Sequence, residues 1–456
     1  METDILSSSF RDPSGFLFSR DGHIYRQINI SYHENYDFLI SSGLYQKLIN
    51  KQLLIPHQEV DVKPLIHDTA YKVIQPERIE FISYPYEWCF SQLQDAALYT
   101  LRVQNIALKN GMSLKDSSSY NIQFHNGKPL LIDTLSFEIY NEGQPWIAYR
   151  QFCQHFLAPL SLMAYKDIRL NQMLRDYIDG LPLDLTSRLL PAKTRLNFPM
   201  LMHIHTHAAS QKRMAGKEIG SKGKMSRTSF LGLLDSLEGS IRKLKWQPSG
   251  TEWSEYYQDN NYSAQGFQHK HKLVGEYLDV LKPKRVWDLG ANVGIFSRLA
   301  SERGAFTIAF DSDQAAVERN YLKCRQDREI NLLPLIMDLT NPSPNIGWAN
   351  RERTTIIERG TANTVLALAL IHHLAISNNV PLDKICAYFR SLGKSLIIEF
   401  VPKEDSQVKR LLGTREDIFV DFNRSTFEHI FSKHYDIKRA EKVHDSSRYI
   451  YLMVGR

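Results

Sequence analysis

The second half of the chain alternates between short apolar runs and longer stretches in which apolar residues recur at helical spacing. The apolar runs predict strands over residues 285–289, 306–310, 332–337, 364–370 and 395–400, with two closing strands over 431–438 and 449–454. The amphipathic stretches predict helices over residues 266–281, 295–303, 314–325 and 382–391. This alternation is typical of an α/β fold in which helices cover a parallel sheet.

The first half of the chain has a mixed pattern that predicts an α+β layout with its helices later in the chain. A hairpin is predicted around Asp21-Gly22 and a second one around Asn126-Gly127, because these dipeptides favour tight turns. The run over residues 81–84, which ends before Pro85, predicts a strand. A long helical pattern over residues 91–110 ends at Gly111, as helices often do.

A polar, basic stretch over residues 211–228 separates the two halves. It holds six Lys or Arg and one acid, Glu218, without apolar periodicity, which predicts a solvated linker. The alternative is a surface that meets an anionic partner. The predicted organisation is a domain over 1–210, a basic linker with a connecting helix at 229–246 inside 211–250, and a second domain over 251–456.

The composition indicates a globular protein and argues against a dedicated nucleic-acid binder. The chain has 456 residues, 43% of them hydrophobic, and a net charge of +6, which is ordinary for a globular protein. A dedicated nucleic-acid binder would carry a denser basic footprint. The four cysteines are far apart in sequence, and neither a membrane span nor a secretory signal is visible, so we expect a reduced, cytoplasmic protein.

The candidate functional residues of the second half follow directly after its predicted strands. The motif DLGANVG follows the first strand, acids follow the second and third strands, and a histidine pair follows the fourth. In an open parallel sheet, ligands bind at this carboxyl edge. The residues concerned are Asp288, Gly290, Asn292, Gly294, Asp311, Asp338, His372 and His373.

These motifs resemble those of class I S-adenosylmethionine-dependent methyltransferases over about residues 266–456. The resemblance implies a Rossmann-like sheet whose last strand is antiparallel, with S-adenosylmethionine as the methyl donor. It implies that Asp311 binds the ribose hydroxyls and that Asp338 touches the adenine amino group. It places the methionine part and the ribose among Asp288, Gly290, Asn292 and Gly294. A nicotinamide-dinucleotide enzyme is the alternative, but its second motif glycine is replaced by Asn292.

Three residues near the fourth and fifth strands are candidates for catalysis. His372 or His373 could act as a base toward the acceptor, or both could pack in the loop; neighbouring residues point apart, so at most one would reach the acceptor. Glu399 could orient the acceptor, cap a helix or pair with an arginine. Arg415 and Arg448 are candidate anchors for an anionic acceptor or solvated surface residues. The acceptor is unidentified, with a small molecule favoured.

The first half contains Asp116, Asn121 and Asp133 at spacings that resemble a protein-kinase catalytic loop and its metal-binding aspartate. No glycine-rich phosphate loop precedes them, and Arg26 or Lys72 would have to replace the usual strand lysine. Three interpretations stay open: a degenerate kinase-like binding domain, an ATP-dependent phosphotransferase for which the methyltransferase half is regulatory, or coincidence.

Overall fold

The computed structural model describes residues 3–207, 224–248, 262–413 and 416–456. The chain divides into two compact units. Unit 1 is Met1–Gln247 with Asn345–Thr354, and unit 2 is Pro248–Pro344 with Thr355–Arg456. The predicted second domain was continuous in sequence, whereas the short segment Asn345–Thr354 groups with unit 1. Most of the predicted basic linker and Arg415 lie outside the described residues.

Unit 1 begins with a five-stranded antiparallel sheet in the order β1-β2-β3-β5-β4. Two small antiparallel ladders, β6 with β9 and β7 with β8, follow it along the chain. The strands are β1 Thr3–Ile5, β2 Gly15–Arg20, β3 His23–Asn29, β4 His57–Glu59, β5 Ala70–Pro76, β6 Met112–Leu114, β7 Ile122–His125, β8 Lys128–Leu131 and β9 Phe137–Ile139. Both predicted hairpins, β2–β3 and β7–β8, are present.

The helices of unit 1 include the long, largely buried helix α3. They are α1 His33–Ser41, α2 Leu44–Asn50, α3 Phe90–Lys109, α4 Tyr149–Phe152, α5 Ala158–Tyr165, α6 Met173–Asp176, α7 Leu183–Leu189, α8 Phe198–Met200 and α9 Arg227–Lys243. Helices α1 and α2 were not predicted. The predicted connecting helix corresponds to α9, which packs on α3 through Gln94, whose amide donates to the carbonyls of Ile241 and Leu244. It is therefore part of the core of unit 1.

The predicted strand over residues 81–84 was wrong, because this segment hydrogen-bonds to a side chain instead of a neighbouring strand. The amide of the buried Gln123 accepts from the Ser83 backbone N–H at 2.8 Å and donates to the Ser83 carbonyl at 2.9 Å. The indole of Trp88 donates to the Ser83 hydroxyl at 2.9 Å. A single glutamine thus satisfies both backbone groups of Ser83 inside the core.

Unit 2 is built on a seven-stranded mixed sheet in the order β12-β11-β10-β13-β14-β16-β15. Strands β10 to β14 pair in parallel, and β16 runs antiparallel between β14 and β15, as the sequence led us to expect. The strands are β10 Arg285–Leu289, β11 Phe306–Asp311, β12 Leu332–Ile336, β13 Ala362–Ala367, β14 Gly393–Phe400, β15 Tyr435–Lys442 and β16 Tyr449–Gly455.

Six helices of unit 2 are described: α10 Ala264–Leu281, α11 Ile295–Ser301, α12 Gln314–Asp327, α13 Leu382–Leu392, α14 Ser406–Leu412 and α15 Arg424–Phe431. Helices α14 and α15 were not predicted, and Phe431, predicted to open a closing strand, ends α15 instead. Helix α10 packs on the sheet through Leu273, Val274, Tyr277 and Leu278, next to Phe296 of α11. Their apolar spacing explains why this amphipathic helix covers one face of the sheet.

None of the helices in the described part of the chain combines the length and the apolar composition needed to cross a bilayer.

We predict that Gln123→Ala destabilises unit 1 by about 2–4 kcal/mol, because it leaves a buried N–H and a buried carbonyl of Ser83 unpaired. Gln58→Ala is the matched control, since Gln58 is exposed on β4. Urea unfolding of both variants and the wild type measures the difference. A loss below about 0.5 kcal/mol for Gln123→Ala would show that the segment finds other partners.

Candidate functional site

A cavity of about 420 Å³ opens in unit 2 where β10, β11, β12 and β13 end. Six of the residues singled out in the sequence line it: Asp288, Gly290, Asn292, Asp311, Asp338 and His373. Its volume is in the range of small-molecule and cofactor sites. The topology therefore brings together groups that are up to 85 positions apart (373 − 288) in the chain.

The turn after β10 brings main chain to the cavity wall. Gly290 and Asn292 both have positive φ angles, 73° and 51°. A Cβ at Gly290 would meet the Leu370 side chain at 3.2 Å. Gly294 does not line the cavity. With φ of 77° it is the N-cap of α11, and a Cβ there would overlap the Asn320 side chain. Gly294 therefore supports the conformation of the turn without lining the cavity.

Acids from three neighbouring strands face the cavity. Asp288 accepts the Ser297 hydroxyl at 2.6 Å, and burial raises its pKa to about 7. Asp311 accepts the backbone N–H of Asn292 at 2.7 Å, and burial raises its pKa to about 6. Asp338 is exposed at the rim and accepts the backbone N–H of Thr340 at 2.8 Å. No cation forms a salt bridge with Asp288 or Asp311 in the described residues, so these carboxylates suit a ligand with hydroxyls or positive charge.

A buried charge network lies behind one wall of the cavity. Lys270 of α10 lines the cavity and donates to Glu399 at 2.6 Å. Tyr262, another lining residue, also donates to Glu399. Arg448 lies 3.4 Å from Glu399 and forms two hydrogen bonds with Asp405, at 2.7 and 3.0 Å. Burial opposes ionisation of Glu399, but Lys270 and Arg448 outweigh it and lower the pKa of this carboxyl.

This network bears on two of the candidate residues. Of the readings left open for Glu399, the structure shows the pairing with an arginine: Glu399 is fully buried, does not line the cavity and contacts Lys270, Tyr262 and Arg448. Arg448 is 2% exposed and ion-paired, so it is neither a solvated residue nor available to an anionic acceptor.

The two histidines after β13 occupy different environments. His373 lines the cavity, and burial lowers its pKa to about 4, so its ring is neutral at neutral pH. His372 is fully buried, and neither of its ring nitrogens has a hydrogen-bond partner among the described residues. Of the pair, only His373 is placed to meet a molecule in the cavity.

Sequence reasoning missed Lys270 and Tyr262. Lys270 had a detectable signal, because it occupies the apolar stripe of α10 with Gly266, Leu273 and Val274, where a lysine is out of place. Tyr262 had none, since nothing in the sequence brings it near Glu399, 137 positions away.

In unit 1 the three residues of the kinase-like spacing lie together, but they are already engaged. Asp133 forms an ion pair with Arg26 of β3 and accepts from the Ser136 hydroxyl. Asn121 donates to the same Ser136 hydroxyl at 3.2 Å. Asp116 accepts the backbone N–H of Ser118 at 2.9 Å, and burial raises its pKa. Lys72, the other candidate cation, pairs with Glu59 on the sheet instead.

This arrangement does not fit a magnesium-bound nucleotide. The carboxylate that would bind the metal, Asp133, is neutralised by Arg26. No phosphoryl-transfer step therefore follows from the geometry of unit 1.

Comparison with solved structures returned methyltransferases among the matches, each over less than half of this chain. Magnesium protoporphyrin IX methyltransferase (ChlM) from Synechocystis PCC 6803 is 19% identical, with a TM-score of 0.33, over 45% of this chain and 93% of that one. N-methyltransferase NodS from Bradyrhizobium japonicum WM9 is 10% identical, with a TM-score of 0.32, over 43% and 98%. The bifunctional kinase-methyltransferase WbdD is 15% identical, with a TM-score of 0.30, over 46% and 43%. Scores this low carry no argument about activity.

Sequence comparison gives a firmer result. No protein-family model matches the chain. Nodulation protein NoeA from Rhizobium meliloti (strain 1021) is 35% identical over 457 residues, which cover 98% of this chain and 95% of that protein. This similarity spans both units. The chain therefore belongs to the family of the nodulation protein NoeA.

Proposed function

We propose that this protein is an S-adenosylmethionine-dependent methyltransferase that binds its donor in the cavity of unit 2. The observation that carries the proposal is the convergence of Asp288, Asp311, Asp338 and Lys270 on one cavity beside the Gly290 turn. The ligand that matches this set has hydroxyls, an amino group, a positive charge and a carboxylate. When bound, S-adenosylmethionine supplies a methyl group attached to a positively charged sulfur.

Each polar group of the cavity has a role in this proposal. Asp311 accepts the ribose hydroxyls, because a carboxylate at the end of the second strand is suited to a vicinal diol. Asp338 accepts from the adenine amino group. Lys270, the one Lys or Arg among the described lining residues, pairs with the methionine carboxylate. The buried negative charge of Asp288 favours the sulfonium side of the ligand.

The acceptor meets His373 in this proposal. Its neutral ring can accept a hydrogen bond from an acceptor hydroxyl or amine and so orient the lone pair toward the methyl group. The acceptor that we propose is a small molecule. Unit 1, with Asp133 held by Arg26, is proposed to have a kinase-like layout that does not transfer phosphate.

We predict that Asp311→Ala weakens binding of S-adenosylhomocysteine roughly 100-fold, because two hydrogen bonds to a charged acceptor are lost. Isothermal titration calorimetry of the full chain measures this affinity. Asp279→Ala is the matched control, since Asp279 is exposed on α10 and pairs with Arg303 outside the cavity. Equal affinities for Asp311→Ala and the control would refute the proposed site.

Turnover is tested with the same proteins and S-adenosylmethionine labelled in its methyl group. Added to a lysate of the source cells, the wild type is expected to label the small-molecule fraction, and Asp311→Ala is not. Label confined to the macromolecular fraction would refute the small-molecule acceptor while leaving the methyltransferase assignment intact.

Lys270→Met tests the orientation of the donor. We predict roughly 10- to 100-fold weaker binding of S-adenosylhomocysteine, because a charge-assisted contact with its carboxylate is lost. Binding of 5′-methylthioadenosine, which lacks that carboxylate, is expected to stay unchanged. This variant leaves Glu399 and Asp405 with Arg448 as their cation, so retained binding of 5′-methylthioadenosine also shows that the variant folds. An equal loss for both ligands would mean that Lys270 only shapes the cavity wall.

Asp288→Asn is predicted to stabilise the ligand-free protein above pH 7. The folded-state pKa of Asp288 is raised to about 7, so its contribution to stability is present at low pH and is lost as the pH rises through that value. We expect a gain of about 2 kcal/mol at pH 8 that shrinks toward pH 4. Urea unfolding across this pH range measures it. A gain that does not depend on pH would contradict the raised pKa.

A further inference from the structure

Four large apolar side chains stand exposed within seven residues of unit 1. Leu196 is 91% exposed, Phe198 69%, Leu201 37% and Met202 44%. Single exposed apolar residues are common on protein surfaces, whereas a contiguous group of them marks a surface that meets something apolar. We refer to these four residues as the Leu196 patch.

The patch is presented by a well-anchored turn. Thr194 is buried, and its hydroxyl is within 2.7 Å of the Pro191 carbonyl and 3.0 Å of the His205 ring. The Asn197 side chain caps the backbone N–H of Met200, and the Met200 side chain is buried. The buried residues fix the turn, so the exposure of Leu196 and Phe198 is part of the fold.

Positive charge surrounds the patch. Lys193 and Arg195 are exposed beside Leu196, and neither forms an ion pair within the described part of the chain. The preceding cation along the chain, Arg188, is paired with Asp184. Residues 185–207 contain no Asp or Glu that could neutralise Lys193 and Arg195. A partner for this region must therefore be anionic as well as apolar.

We propose that unit 1 docks on an anionic lipid surface through the Leu196 patch, with Lys193 and Arg195 at the level of the headgroups. Apolar side chains beside basic ones match the boundary between acyl chains and anionic headgroups, where long cationic side chains reach back to the phosphates. The phosphates of a nucleic acid could pair with the basic side chains, but the apolar side chains of the patch would be left without contacts. The proposal is independent of the chemistry proposed for unit 2.

Vesicle flotation of the full chain tests the docking. We expect the wild type to float with phosphatidylcholine vesicles that contain roughly 30% phosphatidylglycerol and to stay behind with pure phosphatidylcholine, because anionic headgroups attract the basic residues. The double variant Leu196→Glu/Phe198→Glu is expected to lose at least ten-fold in the bound fraction. The matched control is Val280→Glu/Ile330→Glu, which places the same charges at two exposed apolar positions of unit 2 and is expected to float like the wild type.

A second variant tests whether the loss of flotation in the first variant comes from misfolding. Lys193→Gln/Arg195→Gln changes only exposed side chains and is also expected to reduce flotation several-fold, as added salt does to the wild type. Wild-type protein that fails to float with anionic vesicles would overturn the proposal. So would unchanged flotation of both patch variants. A wild-type dimer that the Leu196 variant turns into a monomer, without any vesicle binding, would assign the patch to an interface between copies.

Discussion

A fully buried carboxylate, Glu399, connects three separate parts of unit 2. It lies one residue before the end of β14, and it binds Lys270 from α10 and Arg448 from the turn before β16. Asp405 balances Arg448, so the two acids and the two cations neutralise each other inside the protein. Removing one member would leave an uncompensated buried charge, which costs far more than the pair contributes. The wall of the cavity depends on this balance.

The cavity itself lacks such a balance. Asp288 and Asp311 have raised pKa values because burial disfavours their charge, and neither has a salt-bridge partner among the described residues. Their burial without a cation costs stability at neutral pH and leaves two acceptors at the cavity wall. The contrast with Glu399 separates an acid that is ion-paired inside unit 2 from acids that line the cavity.

In unit 1 the spacing of Asp116, Asn121 and Asp133 does not reveal what these residues contact. They lie close together in the fold, and Asp133 pairs with Arg26 of β3. The sequence identified Arg26 as a candidate cation but could not show which acid it meets. That contact joins residues 107 positions apart (133 − 26), and only the folded sheet determines it.

The sequence by itself determined the alternation of strands and helices in unit 2 and the carboxyl edge where Asp288, Asp311 and Asp338 meet, because periodicity and strand ends are local properties. It also identified the histidine pair but not which member faces the cavity. Only the tertiary structure decided that His373 does, that Glu399 is ion-paired and that Lys270 and Tyr262 line the site. The tertiary structure also showed that residues 81–84, expected to form a strand, are a segment that hydrogen-bonds to Gln123. Such contacts join distant parts of the chain, and no local pattern encodes them.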